Sequence, residues 1–292
     1  MCNKAKLSQQ FLKVAKEVID EQKTKKNAEE NDSKGEESKG EAANVKENKY
    51  DKVNAQFEQN EIAYPYAFAQ GTALRCKDQC VAVIEIKCCG VFFESNHIHK
   101  EKRDEADKQY KNCDLPVIAL VIESPHVDEF FVKQQEGYKE RKPPRPAMGD
   151  AGENLEKYIL GNLAKYQCIN DQKEDGAYFV TSSRLTQGKY RLYLVNAVQY
   201  QCSLGKLGKG SITKERKNRI VNEFFNKYGK DCFVNRLKKI QPKIIINCCT
   251  KGGECQNREL VQTVINENFA DCKRLIGYHP SSAHFAHGFK DT

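Results

Sequence analysis

Short, uninterrupted apolar runs that alternate with helical patterns constrain the fold of this chain more than any other feature. The clearest runs are "LPVIALVIES" at 115–124 and "KIIINCC" at 243–249, and "YRLYLVNAVQY" at 190–200 is also strand-like. Such a run is typical of a strand buried on both faces, because a strand with one solvated face would alternate apolar and polar residues. With helices between the strands, the pattern predicts an α/β protein, a three-layer α/β/α sandwich around a central, mainly parallel sheet.

The other elements follow from the same two patterns. Strands are predicted at 80–93 and 273–280, and helices at 1–24, 154–166, 213–242 (one or two helices) and 260–269. Because the carboxyl ends of parallel strands meet at one edge of a sheet, the residues that follow the strands are expected to share a crevice. These residues are Glu123 to Asp128, Asn196, Cys248 to Lys251, and His279.

Composition divides the chain into two parts. Residues 25–55 contain almost no large apolar side chain, and such a segment cannot bury enough surface to offset the entropy lost on ordering. We therefore expect residues 1–56 to form an amphipathic helix followed by a disordered charged linker. Residues 57–292 are expected to form the α/β domain.

Positive charge is concentrated in one segment. The formal net charge of the chain is +8, and residues 205–243 alone hold twelve Lys or Arg against three Asp or Glu. Clustered charge of this kind suits a polyanion such as nucleic acid, although a solvated helix face would produce the same pattern. A nucleic-acid partner is therefore predicted, and no membrane partner, because no apolar run is long enough to span a bilayer.

Cysteine usage indicates a reducing compartment, the cytoplasm or the nucleus. The chain has 13 cysteines, an odd number, and adjacent pairs such as Cys248 and Cys249 lie inside apolar runs. This pattern favours free, buried thiols over a disulfide framework. Cys76 and Cys80 are four residues apart, but no second matched pair follows, so an iron–sulfur cluster has little support and no cofactor or metal is expected.

Five motifs, in their order and strand context, resemble the uracil-DNA glycosylase superfamily. They are "VIESPHVDEF" (121–130), "RPAMGDAGENL" (145–155), "YLVNAVQYQ" (193–201), "LKKIQPKIIINCC" with the following "TKGG" (237–253), and "HPSSAHFAHGF" (279–289). The first two look most like the iron–sulfur-bearing thermophile-type branch, and the last looks more like the classical enzyme. The similarity covers roughly residues 115–292. It implies a monofunctional glycosylase that releases uracil or another modified base from DNA.

The resemblance implies a role for each residue that matches its motifs. A base that is flipped out of the duplex leaves as an anion, so a hydrogen-bond donor must face its carbonyl oxygen. His279 is the implied donor, and Asn196 the implied reader of the base edge. Glu123, Ser124 and Asp128 are the other catalytic candidates, as backbone anchors or as acids that orient water. Base binding is expected from His126, Ala147 and Phe130, and DNA binding from Ser281, Ser282, His284, Phe285, Lys206 and Lys209.

The chain departs from the family pattern at several positions. Ser124 stands where the classical enzyme has the aspartate that positions water, and Ala147 where it has the phenylalanine that stacks on the base. Ala283 replaces the wedge leucine, with His284 or Phe285 as the alternatives for that function. These departures leave a second hypothesis open, a glycosylase-fold protein that binds nucleic acid without cleaving it. A third hypothesis is a metal-dependent hydrolase, whose ligands would be His126, Asp128, His284 and His287.

Overall fold

In a computed structural model of the chain, the structure describes residues 4–32, 68–69, 72–88, 90–98, 103–110, 113–126, 129–134, 137–141, 143–167, 173–174, 177–178, 184–202, 211–251 and 256–292. The helices are α1 (Lys4–Asp32), α2 (Arg103–Tyr110), α3 (Asp150–Gln167), α4 (Ser211–Phe224), α5 (Lys230–Ile240) and α6 (Asn257–Asn268), with a π-helical turn at Phe225–Gly229 and a 3-10 turn at Ala283–His287. The strands are β1 (Phe68–Ala69), β2 (Thr72–Ala73), β3 (Gln79–Lys87), β4 (Gly90–Asn96), β5 (Val117–Ile122), β6 (Phe131–Gln134), β7 (Gly137–Arg141), β8 (Lys173–Glu174), β9 (Ala177–Tyr178), β10 (Gly188–Asn196), β11 (Pro242–Asn247), β12 (Lys273–Ile276) and β13 (Lys290–Asp291).

Seven strands form one mixed sheet in the order β13-β12-β11-β5-β10-β3-β4. The four central strands, β12, β11, β5 and β10, are parallel to one another. At the edges, β3, β4 and β13 pair in antiparallel fashion. The predicted α/β class and the parallel centre of the sheet are confirmed, and the antiparallel edges make the whole sheet mixed.

The strand predicted at 80–93 was wrong in one respect, because this stretch is a hairpin. β3 and β4 pair with Lys87 opposite Gly90, and the chain reverses between them. Gly90 has φ +152°, a backbone conformation that residues with a Cβ rarely adopt. An apolar run that continues through a turn hides the turn from periodicity alone, and here only the glycine marks it.

Apolar side chains of the central strands alternate between two hydrophobic cores, one on each face of the sheet. The odd-numbered residues of β5, Val117 to Val121, pack in the core that contains α1, α4, α5 and α6. The even-numbered residues, Ile118 to Ile122, pack in the core that contains α3 and the C-terminal segment. Every residue of β5 is buried, as its continuous apolar run predicted.

The helix predicted at the N-terminus is confirmed, and α1 packs directly into the first of these cores. Phe11 is fully buried and stacks on Tyr200, with the ring centroids 4.7 Å apart. The backbone N–H of Ala73 donates to Ser8 Oγ at 2.7 Å. The helix continues past residue 24 to Asp32, where Lys, Glu and Ala give a high helix propensity. Most of the predicted linker lies outside the described residues.

Candidate functional site

The carboxyl ends of the four parallel strands form the edge of the sheet where the predicted site residues gather. In chain order these strands lie as 2-1-3-4 (β10, β5, β11, β12), so successive connections run to opposite sides of β5. Ligand crevices in open α/β sheets form at such a reversal. The backbone N–H of Ala197 donates to Ile122 O at 2.8 Å, and that of Cys248 donates to Val121 O at 2.8 Å. These bonds hold the tips of β10, β5 and β11 side by side.

Glu123 follows β5 and carries a buried carboxylate that three side chains bind. Lys217 Nζ, from α4, lies 2.7 Å from Glu123 Oε2. The Thr250 hydroxyl and the Asn257 Nδ2 group also donate to this carboxylate. Burial raises the pKa of Glu123, but the charge of Lys217 and these hydrogen bonds outweigh it, so the pKa lies below its ordinary value. The carboxylate is therefore ionised at neutral pH and occupied by its partners.

His279 is the third residue after β12, and its surroundings fix its protonation state. The backbone N–H of Ser281 donates to His279 Nδ1 at 3.2 Å, so the neutral imidazole carries its proton on Nε2. Ser281 Oγ also lies 2.8 Å from Nδ1. Desolvation of the partly buried ring, followed by the positive charge of Lys217, lowers the pKa of His279 to about 4. At neutral pH the ring is therefore uncharged and offers its Nε2–H as a hydrogen-bond donor.

Asn196 is the last residue of β10, and its side chain is fully buried. Neither the oxygen nor the nitrogen of its carboxamide has a hydrogen-bond partner in the described part of the chain. Buried polar groups are almost always paired, and each exception needs an explanation. A carboxamide presents an acceptor and a donor side by side, which a planar heterocycle with the complementary pair of groups could satisfy.

Strand alternation places the side chains of Asn196 and Glu123 on opposite faces of the sheet. Leu194 points into the core that contains α3, so Asn196, two residues later, points to the same side. Val121 points into the other core, and Glu123 binds residues of α4 and α6, which cover that face. The C-terminal loop shares the face of Asn196, since its Phe285 lies in the α3 core.

The loop of residues 279–289, which we call the closing loop, is anchored to α3. Asn154 and Asn162 each donate from Nδ2 to a backbone carbonyl of this loop at 2.8 Å. Gly277, just before the loop, allows a close approach, because a Cβ there would lie 2.8 Å from the ring of Phe289. These contacts determine where His279 stands relative to the sheet.

Within the closing loop, the structure separates residues that were predicted together. Phe285 is buried in the core, whereas His284 is exposed. The ring centroid of His284 lies 5.3 Å from that of Tyr278 and 5.1 Å from that of His287. Ser282 Oγ accepts a hydrogen bond from the backbone N–H of His284 at 3.2 Å and so caps the 3-10 turn. Of the two wedge alternatives, His284 is the one at the surface.

Ser124 and His126 follow β5 at the same edge of the sheet, Ser124 beside Cys202 and His126 near His279. Ser124 lies next to the buried thiol of Cys202, whose pKa burial raises well above its ordinary value. His126 lies close enough to His279 to contribute to the lowering of its pKa. Both residues therefore stay candidates for contact with a ligand at this edge.

Ala147 and Phe130, both predicted to bind a base, are fully buried. Ala147 has φ +54°, a left-handed conformation that costs a residue with a Cβ of order 1–3 kcal/mol and often accompanies functional sites. It packs in the α3 core, just before α3 begins. Phe130 packs with Cys76 in a separate small cluster.

Three predicted site residues, Asp128, Lys206 and Lys209, lie outside the described residues, so their roles stay predictions. Across the described ranges, no group of three or more His, Cys, Asp or Glu side chains is placed to hold a metal ion. Among the helices that the structure describes, none is long and apolar enough to cross a membrane.

Sequence reasoning missed Lys217, which it treated as one of twelve basic residues in a charged segment. A signal for it exists, because Lys217 precedes Ile220, Val221 and Phe224 by three, four and seven residues. Those three side chains are buried, so Lys217 lies on the apolar face of α4. A lysine on such a face requires a buried anion, and Glu123 is that anion.

Comparisons of the chain with protein-family models, with curated proteins and with solved structures gave no match. The functional interpretation therefore depends on the residues at the carboxyl edge of the sheet and on their geometry.

Proposed function

We propose that this protein is a DNA glycosylase-like hydrolase that releases uracil or another modified base from DNA by hydrolysis of the N-glycosidic bond, on a glycosylase-like α/β/α sandwich. The observation that carries the proposal is the buried Asn196 carboxamide, whose two polar atoms have no partner in the described part of the chain. Strand alternation points it to the face on which Phe285 of the closing loop packs, and His279 of that loop lies near enough to Lys217 and Glu123 at the strand tips to feel their charges. Together the two side chains could read a base edge and assist its departure.

A neutral His279 suits the chemistry of a departing base. Cleavage of the glycosidic bond gives the sugar oxocarbenium character and places negative charge on the base. A donor that is already oriented toward this charge stabilises the transition state more than the ground state. Because the pKa of His279 is lowered to about 4, its Nε2–H donates a hydrogen bond at neutral pH and no proton need be transferred.

Hydrolysis also requires a water molecule on the opposite face of the sugar, and here one observation favours a second candidate function. The carboxylate of Glu123 is taken up by Lys217 and its neighbours, and Ser124 is a neutral hydroxyl. The second candidate is a glycosylase-fold protein that binds nucleic acid without cleaving it. Asp128 is the predicted acid whose position would distinguish the two.

The decisive experiment is a base-release panel. Single- and double-stranded oligonucleotides that carry uracil, hypoxanthine, xanthine or a hydroxymethylated base are incubated with the protein, and alkali then cleaves any abasic site. We expect cleavage for at least one base, unchanged by a chelator. Binding without cleavage across the panel would support the second candidate, cleavage that a chelator abolishes would support a metal-dependent hydrolase, and neither binding nor cleavage would refute the proposal.

The proposed partner is therefore DNA, and a reducing compartment, the cytoplasm or the nucleus, suits the protein. The cysteines within the described ranges are free thiols, including the adjacent Cys248 and Cys249. Burial raises the pKa of both of these thiols, so they stay protonated and unreactive at neutral pH.

A further inference from the structure

An arginine from α5 binds the backbone at the tip of β10. The pairing of β10 with β3 ends at Leu194, which lies opposite Gln79, so the strand has no β3 partner beyond that point. Arg236 takes this place, since its Nη2 group donates to Asn196 O at 2.7 Å and to Ala197 O at 3.1 Å. The carbonyl groups of two successive residues, Asn196 and Ala197, are thus held by one guanidinium.

The guanidinium is itself held by Asp78, in the segment just before β3. Arg236 Nη1 lies 2.5 Å and 2.7 Å from the two carboxylate oxygens of Asp78. Both side chains are largely buried, with 14% of Arg236 and 10% of Asp78 exposed. Buried, charge-assisted contacts of this kind are strong and directional. The anchor comes from a part of the chain that the resemblance to glycosylases does not cover.

The same segment also holds the loop that follows β10. Gln199 Nε2 donates to Asp78 Oδ1 at 3.1 Å, and Arg75 Nε donates to Gln199 Oε1 at 3.1 Å. The backbone N–H of Cys76 donates to Gln199 O at 2.8 Å. The position of the backbone around Asn196 is therefore set by the segment before β3 and by α5, as well as by the central sheet.

We propose that Arg236 and Asp78 are positioning residues that orient the Asn196 carboxamide for recognition of a base, an inference that rests on the proposed function. The carboxamide makes no side-chain hydrogen bond to another described residue, so its backbone and its packing alone determine its orientation. A planar guanidinium binds the Asp78 carboxylate on one side and both carbonyl groups on the other. The single ammonium of a lysine cannot make all of these contacts at once.

Arg236→Lys tests the inference, because it keeps the positive charge and can keep the ion pair. We expect kcat/KM for base release to fall by about tenfold or more, since Asn196 would contact the base both when it binds and when it departs. We also expect the preference among the bases of the panel to weaken. Asp78→Asn, which leaves the arginine in place, should act in the same direction.

The matched control is Lys239→Gln, which removes a positive charge from an exposed position of the same helix. It should behave as wild type in rate and in base preference. If Arg236 had only a structural role, Arg236→Lys would lower the melting temperature and the active fraction. The rate per folded molecule and the base preference would then stay at wild-type values, and that result would overturn the inference.

A second measurement does not depend on catalysis. In protein labelled with 15N at asparagine, the Asn196 side-chain amide signals can be assigned with Asn196→Asp and compared between variants. We expect them to shift and broaden in Arg236→Lys and Asp78→Asn, and not in Lys239→Gln. If the wild type releases no base, the proposed function fails while these signals still test the Arg236–Asp78 contact. Signals unchanged in both variants would overturn the positioning role.

Discussion

At the scale of single residues, the carboxylate of Glu123 joins three segments that are distant in the chain. Lys217 comes from α4, Thr250 from the loop after β11, and Asn257 from the first turn of α6. A buried ion pair of this kind adds little net stability, because desolvation of both charges offsets their attraction. Its main consequence is positional, because one carboxylate at the tip of β5 binds side chains of both α4 and α6 and so fixes where these helices lie against the sheet.

Removal of one member of the Glu123–Lys217 pair should be costly, because it leaves the other charge buried and unpaired. We expect Glu123→Gln and Lys217→Met each to lower the free energy of unfolding by about 3–5 kcal/mol, and the double variant to cost clearly less than the sum. Urea unfolding of the four proteins measures the coupling. The control is the more exposed pair of Glu223, on α4, and Lys227, in the π-helical turn that follows, for which a coupling of about 0.3–0.5 kcal/mol is expected. Equal couplings in the two pairs would contradict this interpretation.

Replacement of His279 should affect chemistry more than folding. If it donates to the departing base, His279→Ala should slow base release by about a hundredfold or more, the usual effect of losing such a donor. Single-turnover release on the base identified in the panel measures this. His97→Ala, which changes a histidine at the end of β4, serves as the control and should react at the wild-type rate. A His279→Ala variant that cleaves as fast as wild type would show that the site is wrongly assigned.

The lowered pKa of His279 also predicts a pH dependence of stability. The ordinary pKa is 6.5 and the folded pKa is about 4, so the unfolded chain takes up the proton first as the pH falls. The stabilisation is complete above pH 6.5 and is lost between pH 6.5 and 4. For each unit by which the pH falls in that window, the unfolding equilibrium constant of wild type should increase by a factor up to about ten times larger than that of His279→Gln. Parallel curves for the two proteins in urea titrations would refute the assignment. Glu123 also loses its stabilising contribution as the pH falls, but at lower pH, since its pKa lies below 4.5.

At the scale of elements, α1 supports the site from the face opposite Asn196. Phe11 stacks on Tyr200 and meets Phe224 edge-on, with ring centroids 4.7 Å and 5.3 Å apart. Tyr200 belongs to the loop that follows Asn196, and Phe224 ends the helix that carries Lys217. The N-terminal helix is charged and its sequence gives no sign that it belongs to the α/β domain. In the structure it nevertheless packs against the loop that follows Asn196 and against α4, which carries Lys217.

Truncation of the central side chain of this contact should destabilise the whole unit. We expect Phe11→Ala to lower the free energy of unfolding by about 3–5 kcal/mol, because it leaves a cavity in the core. Lys13→Ala, at an exposed position of the same helix, should change it by less than about 0.5 kcal/mol. Urea denaturation measures both. If Phe11→Ala were as mild as Lys13→Ala, α1 would not be part of the cooperative fold.

At the scale of the whole molecule, the proposed DNA binding should draw separately on the net charge and on the site. The net charge of +8 acts on phosphates regardless of sequence, so affinity for unmodified duplex should fall with salt, with a slope of about −0.9 per phosphate contact. Asn196→Ala should leave that slope unchanged and remove only the preference for a modified base. Fluorescence anisotropy over a salt series measures both quantities. Binding that does not depend on salt would refute the charge-driven interaction.

The sequence was sufficient for the four parallel strands, for most of the helices around them and for the residues that end those strands. Buried runs such as 115–124 identify parallel strands because burial on both faces excludes polar side chains, and this is a local property of the chain. The same local property places Asn196 and His279 at strand ends. The hairpin at 80–93 could not be placed by periodicity, because its turn lies inside an apolar run and only Gly90 marks it.

Local pattern alone determined the central parallel strands, most of the helices that cover them and the edge of the sheet at which polar residues collect. Only the tertiary structure decided which polar residues meet there. The spacing of Lys217 places it on the apolar face of its helix, but the anion that it meets there depends on how the helix packs against the sheet. Arg236 looks like other basic residues of the charged segment, and its inward position depends on the same packing. Likewise, strand pairing decides that Asn196 and Glu123 face opposite sides, because alternation within one strand does not relate its faces to those of another.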